Sequence, residues 1–263
     1  MEFILVFIFG LFIGSFLNVL ADRLPRGETV VKGRSHCEKC KETLQWYDLI
    51  PLASFIFLKG GCRYCHTRLS FIYPIVEITT GALFVITTIF VLNNFKFSIS
   101  NFQFLISLIY YLFIVSSLIV IFFADLKYEI IPDKIILPAI VVSALYLMSN
   151  TQYAILPYLL SALGASLFFL LLFLITKGKG MGLGDVKFAF LMGLILGFPN
   201  IVISLYVAFL TGAIIGVALI LWKRRKMSGA TIPFGPFLVL GTLTALFWGE
   251  IIFQKTISLL SLH

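Results

Sequence analysis

The sequence predicts an all-α polytopic membrane protein with about eight transmembrane helices and one small polar insert after the first helix. Composition is the first reason: 60% of the 263 residues are hydrophobic and only 12% are charged, whereas a soluble domain has about 25% charged residues. Long apolar runs separated by short polar breaks are the second. The third is that all four cysteines fall within a single polar stretch, residues 21–70.

The apolar runs divide into eight predicted spans, because about 20 apolar residues rising 1.5 Å each cross the hydrocarbon core. The polar breaks "SNTQ" (149–152) and "GFPN" (197–200) divide two runs that are long enough to fold back once. The fourth and sixth spans come out short. The predicted spans are 3–20, 71–92, 101–124, 134–149, 153–176, 186–198, 201–222 and 233–254.

The distribution of basic residues predicts the orientation. If the spans alternate in direction, 18 of the 20 Lys and Arg residues lie on the side of the insert, and only Lys96 and Lys255 lie opposite. Cytoplasmic loops carry the excess of Lys and Arg, so we expect a cytoplasmic insert and an outside N-terminus. Orientation accounts for the net charge of +8, which excludes a nucleic-acid partner. No basic region precedes residue 3, so the first span is expected to be retained rather than cleaved as a signal peptide.

Two aspartates fall at the cytoplasmic boundary of predicted spans. Asp125 ends the third span, and Asp185 opens the sixth within "GMGLGDVK" (180–187). Carboxyl groups at this depth normally face a bundle interior or a wet cavity, and two of them close together share one proton. This is the chemistry of an aspartic protease. Gly182 and Gly184 would then leave room for an extended substrate and allow unusual dihedral angles.

Simpler roles are open for the same residues. Asp185 can cap the N-terminus of a membrane helix after a glycine-rich turn, and Asp125 can be a boundary charge that balances Lys127. Asp133, after "IIP", is expected to be the N-cap of the fourth span rather than a catalytic group. Lys187 is expected to anchor its helix at the interface, or to favour ionisation of Asp185.

The cysteines form two C-x2-C pairs, "CEKC" (37–40) and "CRYC" (62–65), separated by 21 residues. This spacing is typical of a four-thiolate zinc site formed by Cys37, Cys40, Cys62 and Cys65. Disulfides are disfavoured in the cytoplasm, and redox-active pairs or free thiols are the remaining alternatives. Four thiolates leave no open coordination position, so the zinc is expected to be structural. The insert is therefore predicted to be a small cytoplasmic zinc-binding insert, and the neighbouring His66 is expected to be solvated.

Several motifs along the chain are informative when they are taken together. They are "GSFLNV" (14–19), "RLP" (23–25), "WYDLIPLASF" (46–55), "YPIVEITTG" (73–81), Asp125 seven residues before "PD" (132–133), "GMGLGDVK" and "PFGPFL" (233–238). With these motifs the sequence resembles the bacterial type IV prepilin peptidases, a family of Gly-x-Gly-Asp membrane aspartic proteases. The resemblance covers nearly the whole chain. It implies that Asp125 and Asp185 are the catalytic aspartates.

The resemblance implies further properties. Substrates would be prepilin or pseudopilin precursors cleaved at the cytoplasmic face of the bacterial inner membrane, in contact with the lipid bilayer. Relatives with four cysteines are also N-methyltransferases that use S-adenosylmethionine. The resemblance does not indicate which residues bind this cofactor, and it leaves the oligomeric state open. We expect a first helix (1–20), a methyltransferase-associated zinc insert (21–70) and a protease domain (71–263). A transporter or membrane scaffold with a zinc-ribbon docking module is the alternative.

Two further candidate functional positions, one polar and one irregular, lie inside predicted spans. Glu77 lies several residues inside the second span, where a carboxylate is either functional or held by a hydrogen bond to a neighbouring helix. The "PFGPF" stretch (233–237) opens the last span, and it is expected either to line the substrate groove or to form a simple kink.

Overall fold

A computed structural model describes residues 1–30, 34–94, 101–150, 154–178, 180–223 and 233–260. Some positions used in the orientation argument lie outside these ranges, as do two residues of the predicted break at 149–152. They are Lys32, Lys96, Lys179, Arg224, Arg225, Lys226, Thr151 and Gln152.

The described chain is helical, with only two isolated β-bridges, and each predicted span corresponds to one helix. A short helix and one 3₁₀ turn, Trp46–Leu49, lie in the insert. The helices are α1 (Glu2–Arg23), α2 (Ala53–Phe57), α3 (Ile72–Asn94), α4 (Asn101–Tyr128), α5 (Asp133–Ser149), α6 (Ile155–Thr176), α7 (Leu183–Leu196), α8 (Asn200–Lys223) and α9 (Gly235–Leu260).

Six of these helices are long and apolar enough to cross a membrane: α1, α3, α4, α6, α8 and α9. With 17 and 14 residues, α5 and α7 are the two that the sequence predicts to be short. At 1.5 Å per residue they reach only about 26 Å and about 21 Å, less than the hydrocarbon thickness of about 30 Å. The fold is therefore that of a multi-pass membrane protein.

The chain packs as two compact units, Met1–Val120 and Ile121–His263. In the first unit, α1 and α3 are antiparallel and touch through small residues. A Cβ on Gly10 would lie 2.7 Å from the Cα of Gly81, and a Cβ on Gly14 would lie 2.8 Å from the Cα of Glu77. Membrane helices associate by such close packing because lipid supplies no hydrophobic driving force between them.

In the second unit, α7 is the helix that protein surrounds most completely. Its side chains at Phe188, Leu191 and Met192 are fully buried, and a Cβ on Gly193 would overlap the backbone of α6 at Ala162. A helix that is apolar on all sides and too short to span is stable here because neighbouring helices cover it instead of lipid. This packing fixes the position of its first turn, which carries Asp185.

Candidate active site and metal site

A cavity of about 410 Å³ opens in the second unit where three chain segments meet, within 125–133, 178–187 and 233–234. Asp125 and Asp185 both line it, with only 6% and 8% of their surfaces exposed. The two carboxylates are close enough to interact electrostatically. The other lining residues are Glu129, Ile130, Ile131, Asp133, Gly178, Gly180, Met181, Gly182, Gly184, Lys187, Pro233 and Phe234.

Asp125 lies in the last turn of α4. The helix ends just beyond it, where Glu129 adopts a left-handed φ of 54°. The carboxylate accepts a hydrogen bond on Oδ2 from the backbone N–H of Gly235, at 2.9 Å. This bond joins α4 to the first residue of α9, and it orients the side chain towards the cavity.

Asp185 is the third residue of α7. Its Oδ2 accepts a hydrogen bond of 3.0 Å from the backbone N–H of Gly182, the N-cap residue. Asp185 is therefore not the N-cap residue of the capping alternative, because Gly182 takes that position. Its side chain nevertheless satisfies a free amide at the helix start. The same carboxylate lines the cavity together with Asp125.

The two glycines beside Asp185 line the cavity, but their surroundings differ. Gly182 has an extended backbone (φ −90°, ψ 160°) that any residue adopts, and a Cβ there would meet nothing closer than 3.8 Å. A Cβ on Gly184 would lie 3.1 Å from the Cβ of Ile131. Neither glycine has a positive φ, so the expectation of unusual dihedral angles is wrong. Gly184 permits close packing, while Gly182 leaves open space beside a carboxylate.

Lys187 forms an ion pair that the sequence analysis missed. Its Nζ lies 2.7 Å and 2.9 Å from the two carboxylate oxygens of Asp133, and both side chains are about half exposed. Asp133 is the first residue of α5, and the N-cap position predicted for it belongs to Pro132. The pair connects the starts of α5 and α7 at the cavity. Two residues of opposite charge at the predicted starts of two spans, on the same predicted side of the membrane, were the available signal.

Gly235 is the second feature that sequence reasoning missed. A Cβ at this position would lie 2.5 Å from Oδ2 of Asp125, so only glycine allows the observed hydrogen bond. Pro233 and Phe234, directly before it, line the cavity. The glycine between two prolines in "PFGPF" was the signal, and the structure favours the cavity interpretation of this stretch over a simple kink.

The four cysteines of the insert come together with geometry suited to a tetrahedral metal ion. They are free thiols, and their sulfur atoms all lie within 4.8 Å of one another. Zn–S bonds of about 2.3 Å place tetrahedral sulfurs about 3.8 Å apart, and the Sγ atoms of Cys37 and Cys65 are 3.8 Å apart. The donor set therefore fits a metal ion such as zinc.

The two C-x2-C pairs have the same backbone fold. The N–H of Cys37 donates to the carbonyl of Glu42, and the N–H of Cys62 donates to the carbonyl of Thr67, both at 2.9 Å. The residue four positions after each first cysteine has a left-handed φ, 61° at Lys41 and 53° at His66. His66 is thus a turn residue, exposed to solvent, and it lies outside the metal-ligating cluster.

The ionisation behaviour of these thiols also favours a bound cation. The hydroxyl of Thr67 lies 3.2 Å from Sγ of Cys65, and this hydrogen bond is the main cause that lowers the pKa of Cys65 to about 6. At Cys40, the backbone amide of Glu42 lowers the pKa, but burial and the neighbouring thiols raise it to about 11. Like charges this close oppose each other's ionisation, and a bound cation removes that opposition.

Glu77 has a clear structural partner. It is buried in α3, and its Oε2 accepts a 2.9 Å hydrogen bond from the backbone N–H of Leu52 in the insert. Nearby, Nδ2 of Asn18 donates to the carbonyl of Tyr73 at 3.1 Å. Of the two interpretations of Glu77, the structure therefore supports the hydrogen bond, and its partners are Leu52 in the insert and the side chain of Ser15 in the neighbouring helix α1.

The fold and the two sites define a class: a polytopic membrane protein with a buried aspartate pair in one cavity and a four-cysteine insert. The chain belongs to the type IV leader peptidase family, whose profile matches residues 112–217. The profile of the bacterial peptidase A24 N-terminal domain matches residues 8–91.

Relatives of known name extend this similarity over most of the chain. A prepilin leader peptidase/N-methyltransferase of Bacillus subtilis is 32% identical over 94% of both chains. Proteins of the same name from Aeromonas salmonicida and Legionella pneumophila are 31% and 32% identical over 94% of this chain and 91% and 92% of their own. No solved structure matches the chain. Membership of this family makes the chain a multi-pass protein of the inner membrane.

Proposed function

We propose that this protein is a membrane aspartic endopeptidase that cleaves the leader from type IV prepilin or pseudopilin precursors and N-methylates the new N-terminus. The observation that carries the proposal is the meeting of two buried aspartates, Asp125 and Asp185, in one cavity. The names of the relatives supply the reaction and its substrate class.

The hydrogen bonds of the two aspartates support a catalytic role. Each carboxylate has its Oδ2 bound to a backbone amide, from Gly235 in one case and from Gly182 in the other. The Oδ1 atoms are then the atoms left for a water molecule and a substrate carbonyl. Groups held in this way need little reorganisation during the reaction.

The proposed reaction uses the pair as a unit that shares one proton. The ionised carboxylate takes a proton from a water molecule, whose oxygen attacks the carbonyl carbon of the scissile peptide bond. The protonated carboxyl donates a hydrogen bond to the carbonyl oxygen as the tetrahedral intermediate forms. The intermediate collapses when the C–N bond breaks, and the leaving nitrogen takes up a proton from the pair.

The proposed substrate has an apolar helix, and this agrees with the environment of the cavity. Most of α7 behind Asp185 is buried among apolar side chains, and Met181 and Phe234 line the cavity itself. An apolar helix of the precursor would lie in the bilayer beside these helices, with its extended end at the aspartates. Gly182, which carries no side chain beside Asp185, and Gly184 are the proposed substrate-groove residues.

We further propose the cytoplasmic side for the insert and the active site, on the basis of the 18 Lys and Arg residues that the predicted topology places there. Residues 1–20, 21–70 and 71–263 would then be the first helix, the zinc insert and the protease domain. Zinc bound by Cys37, Cys40, Cys62 and Cys65 would stabilise the insert, which has little apolar core. S-adenosylmethionine is proposed as the methyl donor from the family resemblance, and no residue is assigned to it.

One assay tests both activities. The protein is reconstituted in vesicles with a pilin precursor, with and without S-adenosylmethionine, and the mass of the product is measured by mass spectrometry. Loss of the leader is expected in both samples, and one additional methyl group on the new N-terminus only when the cofactor is present. A precursor that keeps its leader would contradict the peptidase, and a cleaved but unmethylated product would contradict the methyltransferase.

A further inference from the structure

The segment between the two cysteine pairs exposes an unusual amount of apolar surface. Trp46, Ile56 and Phe57 are 73%, 70% and 84% exposed within residues 46–58. Covering such side chains is favourable, and a domain in water does not leave several of them exposed in one short segment without a binding function. We call residues 46–58 the turn segment.

Two contacts fix the depth of the turn segment along the membrane helices. The N–H of Leu52 donates to Oε2 of Glu77 at 2.9 Å, and Oγ of Ser15 lies 3.5 Å from the carbonyl oxygen of Leu49. Glu77 is five residues inside α3, and Ser15 is seven residues before Asp22, the first charged residue near the end of α1. These intervals correspond to about 8 Å and about 10 Å of helix. The turn segment thus lies beside the membrane helices rather than beyond their ends.

The backbone of the turn segment is adapted to this depth. Leu52 has a positive φ of 58° with ψ −46°, and the N–H of Ala53 donates to the carbonyl of Pro51, which together form a strained γ-turn. Irregular backbone is tolerated in a membrane only where its polar groups have protein partners. The carboxylate of Glu77 supplies that partner for Leu52, and this offsets the cost of the turn.

The short helix after the turn is continuous with a lipid-facing surface. Phe55 in α2 makes an edge-on contact with Phe71, with ring centroids 5.4 Å apart. Phe71 begins a stripe with Ile75 and Ile78 along one face of α3, and these three side chains are between 47% and 73% exposed. A stripe of this kind on a membrane-crossing helix faces acyl chains, so α2 extends an apolar surface that already faces lipid.

We propose that the turn segment is re-entrant: it inserts into one leaflet of the bilayer, with Ile56 and Phe57 among the acyl chains. Trp46 and Tyr47 then lie at the headgroup level, where aromatic rings with one polar end are favoured. This goes beyond the proposed peptidase activity, and it changes the expected role of the insert. Part of residues 21–70 is a membrane anchor rather than a wholly water-exposed module.

The charges around the turn segment agree with a headgroup neighbour. Nε of Arg63 lies 2.7 Å from Oδ1 of Asp48, and its guanidinium lies 4.9 Å from the centre of the Tyr47 ring. The insert as a whole carries nine Lys and Arg against five Asp and Glu. A positive surface beside an apolar one is complementary to phosphate headgroups above acyl chains.

Tryptophan quenching in the full chain tests this proposal. The three native tryptophans at positions 46, 222 and 248 are replaced by Phe, and a single reporter is introduced as Phe57→Trp or Ile56→Trp. Ile78→Trp, on the lipid-facing stripe, is the positive control. Lys39→Trp, an exposed position in the first cysteine pair, is the water-facing control. Each protein is reconstituted in vesicles of phosphatidylcholine with brominated acyl chains and, separately, treated with acrylamide.

The expected result is that Phe57→Trp and Ile56→Trp lose as large a fraction of their fluorescence to brominated lipid as Ile78→Trp does. Acrylamide should quench Lys39→Trp several-fold more than either. Quenching of both turn-segment reporters by acrylamide but not by brominated lipid would overturn the proposal, because the segment would then face water. Protection from both quenchers would also overturn it, because a second copy or another protein segment would cover the surface.

Discussion

The backbone N–H of Gly235 donates a 2.9 Å hydrogen bond to Oδ2 of Asp125, across 110 positions of sequence. This contact joins the end of α4 to the start of α9 at the cavity that also contains Asp185. It makes the orientation of one proposed catalytic carboxylate depend on a residue without a side chain.

Replacing Gly235 with alanine should therefore impair cleavage while leaving the fold intact. The added Cβ would lie 2.5 Å from the Asp125 carboxylate, so the side chain must rotate away and lose its amide partner. Loss of one oriented catalytic group predicts a fall in kcat of about 10²-fold or more. Gly216→Ala is the matched control, because a Cβ there meets no atom within 4 Å. Equal cleavage rates in the two variants, measured with a pilin precursor, would contradict this role.

Asp125→Asn and Asp185→Asn should each abolish cleavage, with a loss of about 10²-fold to 10⁴-fold. An amide can neither accept the proton from water nor share one with its partner. Asp133→Asn is the control, because it removes another carboxylate that lines the same cavity. This variant should process the precursor at close to the normal rate. The three variants are compared for leader removal and for metal content. Normal processing by either Asn variant at Asp125 or Asp185 would exclude the pair.

Gly182→Ala should fold normally and lose cleavage through substrate binding. A Cβ at this position has no protein atom closer than 3.8 Å, so the fold can accept it, while it fills open space beside Asp185 that the proposed substrate would use. We expect KM to rise more than kcat falls. Gly164→Ala in α6, where no atom lies within 4 Å of the new Cβ, should leave both parameters unchanged. Unchanged KM for the Gly182 variant would remove this glycine from the proposed groove.

One zinc ion per chain is expected on metal analysis, and Cys62→Ser should remove it. The sulfur of Cys62 belongs to the buried side of the cluster, and a tetrahedral thiolate site does not persist with a ligand missing. Residues 21–70 should then become sensitive to protease, because metal binding contributes to their folding. His66→Ala should keep the full metal content. Zinc loss in the His66 variant would show that the ligand set differs from the four cysteines.

Glu77→Leu should loosen the turn segment, whereas Glu77→Gln should preserve it. Leucine leaves the part-buried N–H of Leu52 without its carboxylate acceptor, at a cost of about 1 kcal/mol or more, while glutamine still offers an amide oxygen. Hydrogen exchange followed by mass spectrometry on peptides covering residues 46–58 measures the effect. Faster exchange is expected only in the leucine variant. The same protection in both variants would show that the hydrogen bond of Glu77 does not hold the segment.

Much of the architecture is visible in local sequence patterns. Each of the eight apolar runs forms one helix, and the two predicted to be short are the two that fall below spanning length. The two C-x2-C pairs predicted a cluster because each motif determines its own turn, and the four sulfur atoms do come together. The catalytic roles of Asp125 and Asp185, the zinc and the domain bounds stay predictions that the experiments above address.

The sequence by itself determined which segments are helices in a membrane, which residues can bind a metal, and which two aspartates end or begin a span. Those features depend on the transfer energy and spacing of residues that are neighbours in the chain. Only the tertiary structure decided that Gly235 binds Asp125, that Lys187 pairs with Asp133, and that Glu77 holds Leu52. These partners are 25 to 110 residues apart, and their meeting depends on how whole helices pack, which no local pattern encodes.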